Sequence, residues 1–144
     1  MPNSLTSADR VALSIAYLNI LQTIIARMSN YVLAIQTASL TTLTALLAFS
    51  ASDNVCMNAF VFIIPCVFFA GFHFYFLRLE KTFRNLYNEA TQNNDISLST
   101  FKIDGDDLDR LKPNARKVFE SPSLYVFYPF LLSVVLIAYS FLER

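Results

Sequence analysis

Apolar and charged residues fall in blocks along this chain. Residues 28–52 and 54–77 are two runs without an Asp, Glu, Lys or Arg, divided only by Asp53. Each spans about 24 residues, roughly 36 Å as a helix, enough to cross the hydrocarbon core of a bilayer. A third charge-free window covers 121–142. A soluble domain of equal apolarity would interrupt such runs with charge every few residues. The pattern predicts an all-α membrane protein with three transmembrane helices. The first two are expected to form a long hairpin with a very short turn, extending into a cytoplasmic helical stalk. The expected organisation is an N-terminal amphipathic cytoplasmic helix over 1–28 and a transmembrane hairpin over 29–77, with spans at 29–51 and 58–77. A cytoplasmic helix and linker follow over 78–120, then a third transmembrane helix over 121–144.

Local signals refine this outline. No Pro or Gly occurs between Leu5 and Ile64, so one long helix can run from the N-terminal segment into the first span. Thr6 or Ser7 can cap it, with Asp9 favoured in the first turn. The spacing of Val11, Ile15, Leu18, Gln22 and Ile25 predicts its apolar stripe. Beyond the second span, Leu79, Phe83, Leu86 and Ala90 form a stripe that can pack on it, and Glu80 and Arg84 form an i,i+4 pair. Pro65 is expected inside the second span, and 91–105 reads as a linker. Asp104, Asp106, Asp107 and Asp109 partly resemble a calcium loop, but Ala115 stands where that loop needs Glu. They are therefore read as a solvated turn and helix start, followed by a short helix interrupted at Pro113.

Within the spans, Asn30, Thr37, Thr41 and Thr44 share one helical face, with Gln36 and Ser39 nearby. Ala34, Ala38 and Thr42 make a ladder of small residues on another. Hydroxyls in spans either bond back to their own helix in a close-packed interface or line a polar path. Both readings stand at this point, which makes Asn30, Thr37, Thr41 and Thr44 the candidate pore lining. His73, the single histidine, is an intramembrane ionisable group one turn inside Arg78. The alternative for it is an interfacial ring bonded to a carbonyl or water.

Charge and chemistry narrow the function. Net charge is zero, and with no basic patch no nucleic-acid partner is expected. Eight of the eleven Lys and Arg residues lie in 78–120 and none in the hairpin turn. The positive-inside rule therefore places the N-terminus and 78–120 in the cytoplasm. Ala48 and Ser50 resemble a cleavage site, but the preceding apolar run is too long for a signal peptide, so a retained span is expected. Cys56 and Cys66 are ten helical residues apart, roughly 15 Å, and cannot bridge within one helix. No nucleophile–base set, phosphate-cradling loop or Cys/His cluster occurs, so no enzyme, cofactor or metal is expected. No span holds an Asp or Glu, which argues against a proton-coupled carrier.

Three segments carry a resemblance: Arg27-Met28-Ser29-Asn30; Tyr75-Phe76-Leu77-Arg78-Leu79-Glu80-Lys81-Thr82-Phe83-Arg84-Asn85-Leu86-Tyr87; and Phe119-Glu120-Ser121-Pro122-Ser123 with Phe127-Tyr128-Pro129. Together they resemble small three-span bacterial membrane proteins, similar to the SLATT class of anti-phage effectors. Lys81 departs from that pattern, where Arg is usual, and so does His73, where an acidic residue would stand. The resemblance implies a bacterial inner-membrane effector that oligomerises and permeabilises the membrane when a cytoplasmic sensor protein or nucleotide signal reports infection. One protomer has too few spans to enclose water, so a pore needs a homo-oligomer. Arg78, Arg84, Tyr87, Asp104 and Asp106 are the expected contacts for such a signal. The competing expectation is a small membrane anchor or accessory subunit that recruits a cytoplasmic partner through 78–120.

Overall fold

The computed structural model describes residues 6–52, 58, 60–92 and 105–142. Asp53, Cys56, Asp104 and most of the linker read at 91–105 lie outside them. Among the described residues the chain is helical: α1 (Ser7–Ser50), α2 (Phe60–Gln92), α3 (Gly105–Leu111), α4 (Ala115–Phe119), α5 (Pro122–Tyr125) and α6 (Phe127–Leu142). Three segments are long and apolar enough to cross a membrane: α1, α2 and the stretch Pro122–Phe141 formed by α5 and α6.

α1 runs for 44 residues because nothing in its sequence stops it. Its start is fixed by a capping box. The Asp9 backbone N–H donates to Thr6 Oγ1 at 3.2 Å, and the Thr6 N–H donates to the Asp9 carboxylate at 3.1 Å. Hydrogen bonds from the Thr6 hydroxyl and then the Thr6 backbone hold the Asp9 carboxyl below its ordinary range. α2 continues through Pro65, which lies close enough to the helix start that one missing N–H leaves most of the ladder intact. α5 and α6 are separated at Val126. The local cause is Pro129, which has no N–H to return to the Tyr125 carbonyl four residues back.

α1 and α2 pack antiparallel. Tyr31 meets Phe76 with ring centroids 5.3 Å apart, and further along Gln22 Nε2 donates to the Tyr87 hydroxyl at 3.0 Å. α6 lies beside α2, with Tyr139 against Phe62 at 5.5 Å. The principal core comprises Val32 and Leu43 of α1, Phe62, Cys66 and Leu77 of α2, Val118 of α4, and Leu124, Tyr128, Leu131 and Val135 of α5 and α6. Outside this core the surface is apolar too: Phe60, Ile64, Phe68 and Tyr75 on α2, and Phe130, Val134, Ile137 and Phe141 on α6, are exposed. These residues recur at helical spacing and form apolar faces of the kind that a water-soluble monomer rarely presents. Lipid is the solvent that makes them favourable.

A second, smaller core joins α1 and α2 away from the first. Tyr17, Leu21 and Ala90 are buried there, with Leu18, Phe83, Leu86 and Tyr87 against them. The α2 stripe of Phe83, Leu86 and Ala90 thus faces inward. The stripe expected on α1 holds in part: Leu18 packs on this core and Gln22 bonds to Tyr87, whereas Val11 and Ile15 are 59% and 55% exposed and Tyr17 and Leu21 take the most buried positions. Apolar residues surround this part of α1 almost completely, so several stripes have helical spacing. Tyr17 and Leu21 bury in one cluster with Ala90. The Glu80–Arg84 pair forms at 2.6 Å, and the Glu80 side chain is only 8% exposed.

Replacing Leu21 by Ala is expected to lower the thermal stability of the detergent-solubilised protein by about 2–4 kcal/mol, the usual cost of a cavity at a filled position. Val11→Ala should change it by less than about 0.5 kcal/mol. Circular dichroism melts of both variants check the register, and the stripe first expected from the sequence predicts the reverse order.

Candidate functional site: a polar junction between three spans

Polar side chains in a span must find partners within the protein. Those of α1 divide into two sets. Gln36 and Ser39 turn inward; Asn30, Thr37, Thr41 and Thr44 are exposed. Ser39 is fully buried and its hydroxyl donates to the Gln36 carbonyl at 2.8 Å. The Gln36 amide reaches across to the start of the third apolar segment, donating to Ser123 Oγ at 3.3 Å and approaching the Ser123 carbonyl at 3.4 Å.

His73 completes the junction from α2. It is fully buried, and its Nε2 lies 3.2 Å from Ser123 Oγ. Ser123 Oγ has two lone pairs and one hydrogen, so it can accept from Gln36 and also either donate to Nε2 or accept from it, according to the imidazole tautomer. Nδ1 has no hydrogen-bond partner. The Tyr128 ring meets the imidazole edge-on at 5.5 Å, and its hydroxyl is buried facing Ser39 without a well-formed hydrogen bond. The alternative of an interfacial ring bonded to a carbonyl or water is therefore corrected for His73. Its partners are side chains from other helices, close in space though 50 residues away in sequence. Buried polar atoms left unpaired cost about 1–3 kcal/mol each, so the hydrogen bonds of Ser123 to Gln36 and His73 make this junction a bond between helices.

The chain geometry explains why these residues meet. Gln36 and Ser39 lie early in the first apolar run, His73 late in the second, and Ser123 at the beginning of the third. Helices that alternate in direction bring those positions to one depth, next to Arg78. Gln36, His73 and Ser123 lie nine, five and three residues from Arg27, Arg78 and Glu120, so each belongs to the same charged end of its apolar run, the one signal of the cluster that the sequence holds.

The remaining site residues are placed elsewhere. The hydroxyls of Thr37, Thr41 and Thr44 donate to the carbonyls of Leu33, Thr37 and Leu40, one turn back. With Asn30 they form an outward face. The Ala34–Ala38 ladder is also exposed, so it does not pack within one chain. Gln36 and Ser39 are not part of that wall. Arg78 is half-buried and its Nε is unpartnered. Arg84 pairs with Glu80, Tyr87 accepts from Gln22, and Asp106 is exposed at the start of α3. The structure does not bring these into one site. Asp109 pairs with Lys112. Cys66 is buried in the core with a free thiol.

Comparison with known proteins finds no match to this chain among family models, curated proteins or solved structures.

A double-mutant cycle tests the junction. Ser123→Ala and His73→Phe should each destabilise the protein by about 1 kcal/mol, and the double variant should show a coupling of about 0.5–1.5 kcal/mol. Chemical unfolding in mixed micelles measures this. Strict additivity would mean that the 3.2 Å contact contributes no binding between α2 and the third segment.

Proposed function

We propose that this chain is a multi-pass membrane effector that works as a homo-oligomer and permeabilises the bilayer, with α1 at the subunit contacts and along the polar path. The observation that supports this reading is the outward face of the first span. Asn30, Thr37, Thr41 and Thr44, together with Ala34 and Ala38, are exposed where lipid would cover them. Small and hydroxylated residues are what close helix–helix contacts in membranes use. Threonines bonded to their own carbonyls tolerate lipid, but an exposed Asn amide does not lose its need for partners there. A neighbouring copy or a shared water-filled path supplies them.

In this reading the N-terminal end of α1 and the 78–120 region face the cytoplasm, where basic residues concentrate. The antiparallel α1–α2 pair leaves the membrane there as a stalk, ending near Tyr17 and Ala90. The resemblance to anti-phage effectors gives the context: a bacterial inner membrane and a cytoplasmic sensor or nucleotide signal that triggers opening.

A second reading, an anchor that recruits a partner through 78–120, draws on a different observation. α3 and α4 are fastened to α2 by specific contacts. Asn85 Nδ2 donates to the Leu111 carbonyl at 2.9 Å, Lys81 Nζ donates to the Lys117 carbonyl at 3.2 Å, and Arg110 pairs with Glu89 at 2.8 Å. This gives the region a defined surface on which a partner could dock.

Native mass spectrometry from detergent separates the two. The effector reading expects a complex of several 16.3 kDa chains and dye efflux from proteoliposomes, reduced about tenfold or more by Thr41→Leu with Thr44→Leu, since leucines replace the hydroxyl lining. A monomer without efflux contradicts it and supports the anchor.

A further inference from the structure

A cavity of about 770 Å³ lies where α3 and α4 fold back on α2. Five of its ten described lining residues are cations: Lys81, Arg84, Arg110, Lys112 and Lys117. None is acidic. Asn85, Asn88 and Asn114 supply amides between them, and Leu111 and Pro113 complete the wall. Three of the cations have carboxylate partners beside the cavity: Arg84 with Glu80, Arg110 with Glu89 and Lys112 with Asp109. Lys81 and Lys117 have none among the described residues. The Lys81 ammonium donates to the Lys117 backbone carbonyl, which ties the two residues together at the wall, and both line the cavity without a carboxylate partner.

We infer that this cavity binds a phosphate group, held chiefly by Lys81 and Lys117 with the neighbouring amides as further donors. Two cations without carboxylate partners, set among neutral amide donors, suit a tetrahedral oxyanion with several acceptor oxygens better than a single carboxylate. The amide groups of Asn88 and Asn114 add neutral donors that can meet further oxygens. The volume exceeds that of a bare phosphate and falls in the range of small-molecule sites, so the phosphate would carry a substituent. Two sources share this chemistry. Lys81 is three residues past Arg78 and Lys117 precedes the third apolar segment by a few residues, so a lipid headgroup could reach this wall. A soluble phosphate ester could enter from the aqueous side. The inference does not depend on pore formation, because it concerns residues outside the spans.

The full-length protein in zwitterionic detergent tests it in two arms. Phosphorus NMR follows inorganic phosphate as the free anion, and native mass spectrometry counts retained phosphatidylglycerol against phosphatidylcholine. Lys117→Gln removes no side-chain contact that holds the fold. It should weaken binding about tenfold in whichever arm shows it, and Lys81→Gln with Lys117→Gln should weaken it further. Arg116→Gln, at an exposed ion pair with Glu120, serves as the control and should leave binding unchanged. Loss in the phosphate arm identifies a soluble ligand, and loss in the phosphatidylglycerol arm identifies a headgroup. Absence of binding in both arms, or equal binding by wild type and the lysine variants, overturns the inference.

Discussion

Lipid offers no hydrogen bonds, and this constraint governs the arrangement of the chain. Every backbone polar group in the apolar segments must be met within a helix, which leaves three long helical segments as the solution. Side-chain polar groups in those segments have three outlets. They bond back to their own helix, as Thr37, Thr41 and Thr44 do. They bond across helices, as Gln36, Ser123 and His73 do. Or they wait for a partner outside the chain, as the exposed Asn30 does in the proposed assembly.

The same constraint changes what holds the helices together. Lipid tails are as apolar as Leu, so the exposed Phe and Ile faces of α2 and α6 contribute little drive toward packing. Close fit and the polar junction carry more of the association. In the proposed arrangement the ends of α1 and α2 leave the bilayer, and there the burial of Tyr17, Leu21 and Ala90 would draw on the hydrophobic effect of water. The junction lies within the principal core, bracketed on α1 by Val32 and Leu43 and on α2 by Cys66 and Leu77.

The helical class and the three apolar segments were legible from the blocks of charge-free sequence, since an uninterrupted apolar run of that length has few other outcomes. The Glu80–Arg84 pair was legible because i,i+4 spacing is local. The rotation of α1 was not. Val11, Ile15, Leu18 and Leu21 fall on one side of the helix, but Leu13, Tyr17, Ile20 and Ile24 make the other side apolar as well, so periodicity alone does not choose between faces. Nor was the environment of His73. Its partners come from two other helices, and sequence spacing within α2 holds no information about their rotation. The basic cavity was hidden for the same reason: Lys81 and Lys117 are 36 residues apart and meet only when α4 folds back.

The central claim is that these helices lie in a bilayer with the 78–120 region on its cytoplasmic side. Single cysteines at Phe68 and Asn88, introduced after Cys56 and Cys66 are replaced by serine, test it most directly with a membrane-impermeant maleimide. The account predicts that Asn88→Cys reacts in inverted vesicles and not in intact cells, while Phe68→Cys reacts in neither. Ready labelling of Phe68→Cys, or labelling of Asn88→Cys from outside intact cells, would contradict it.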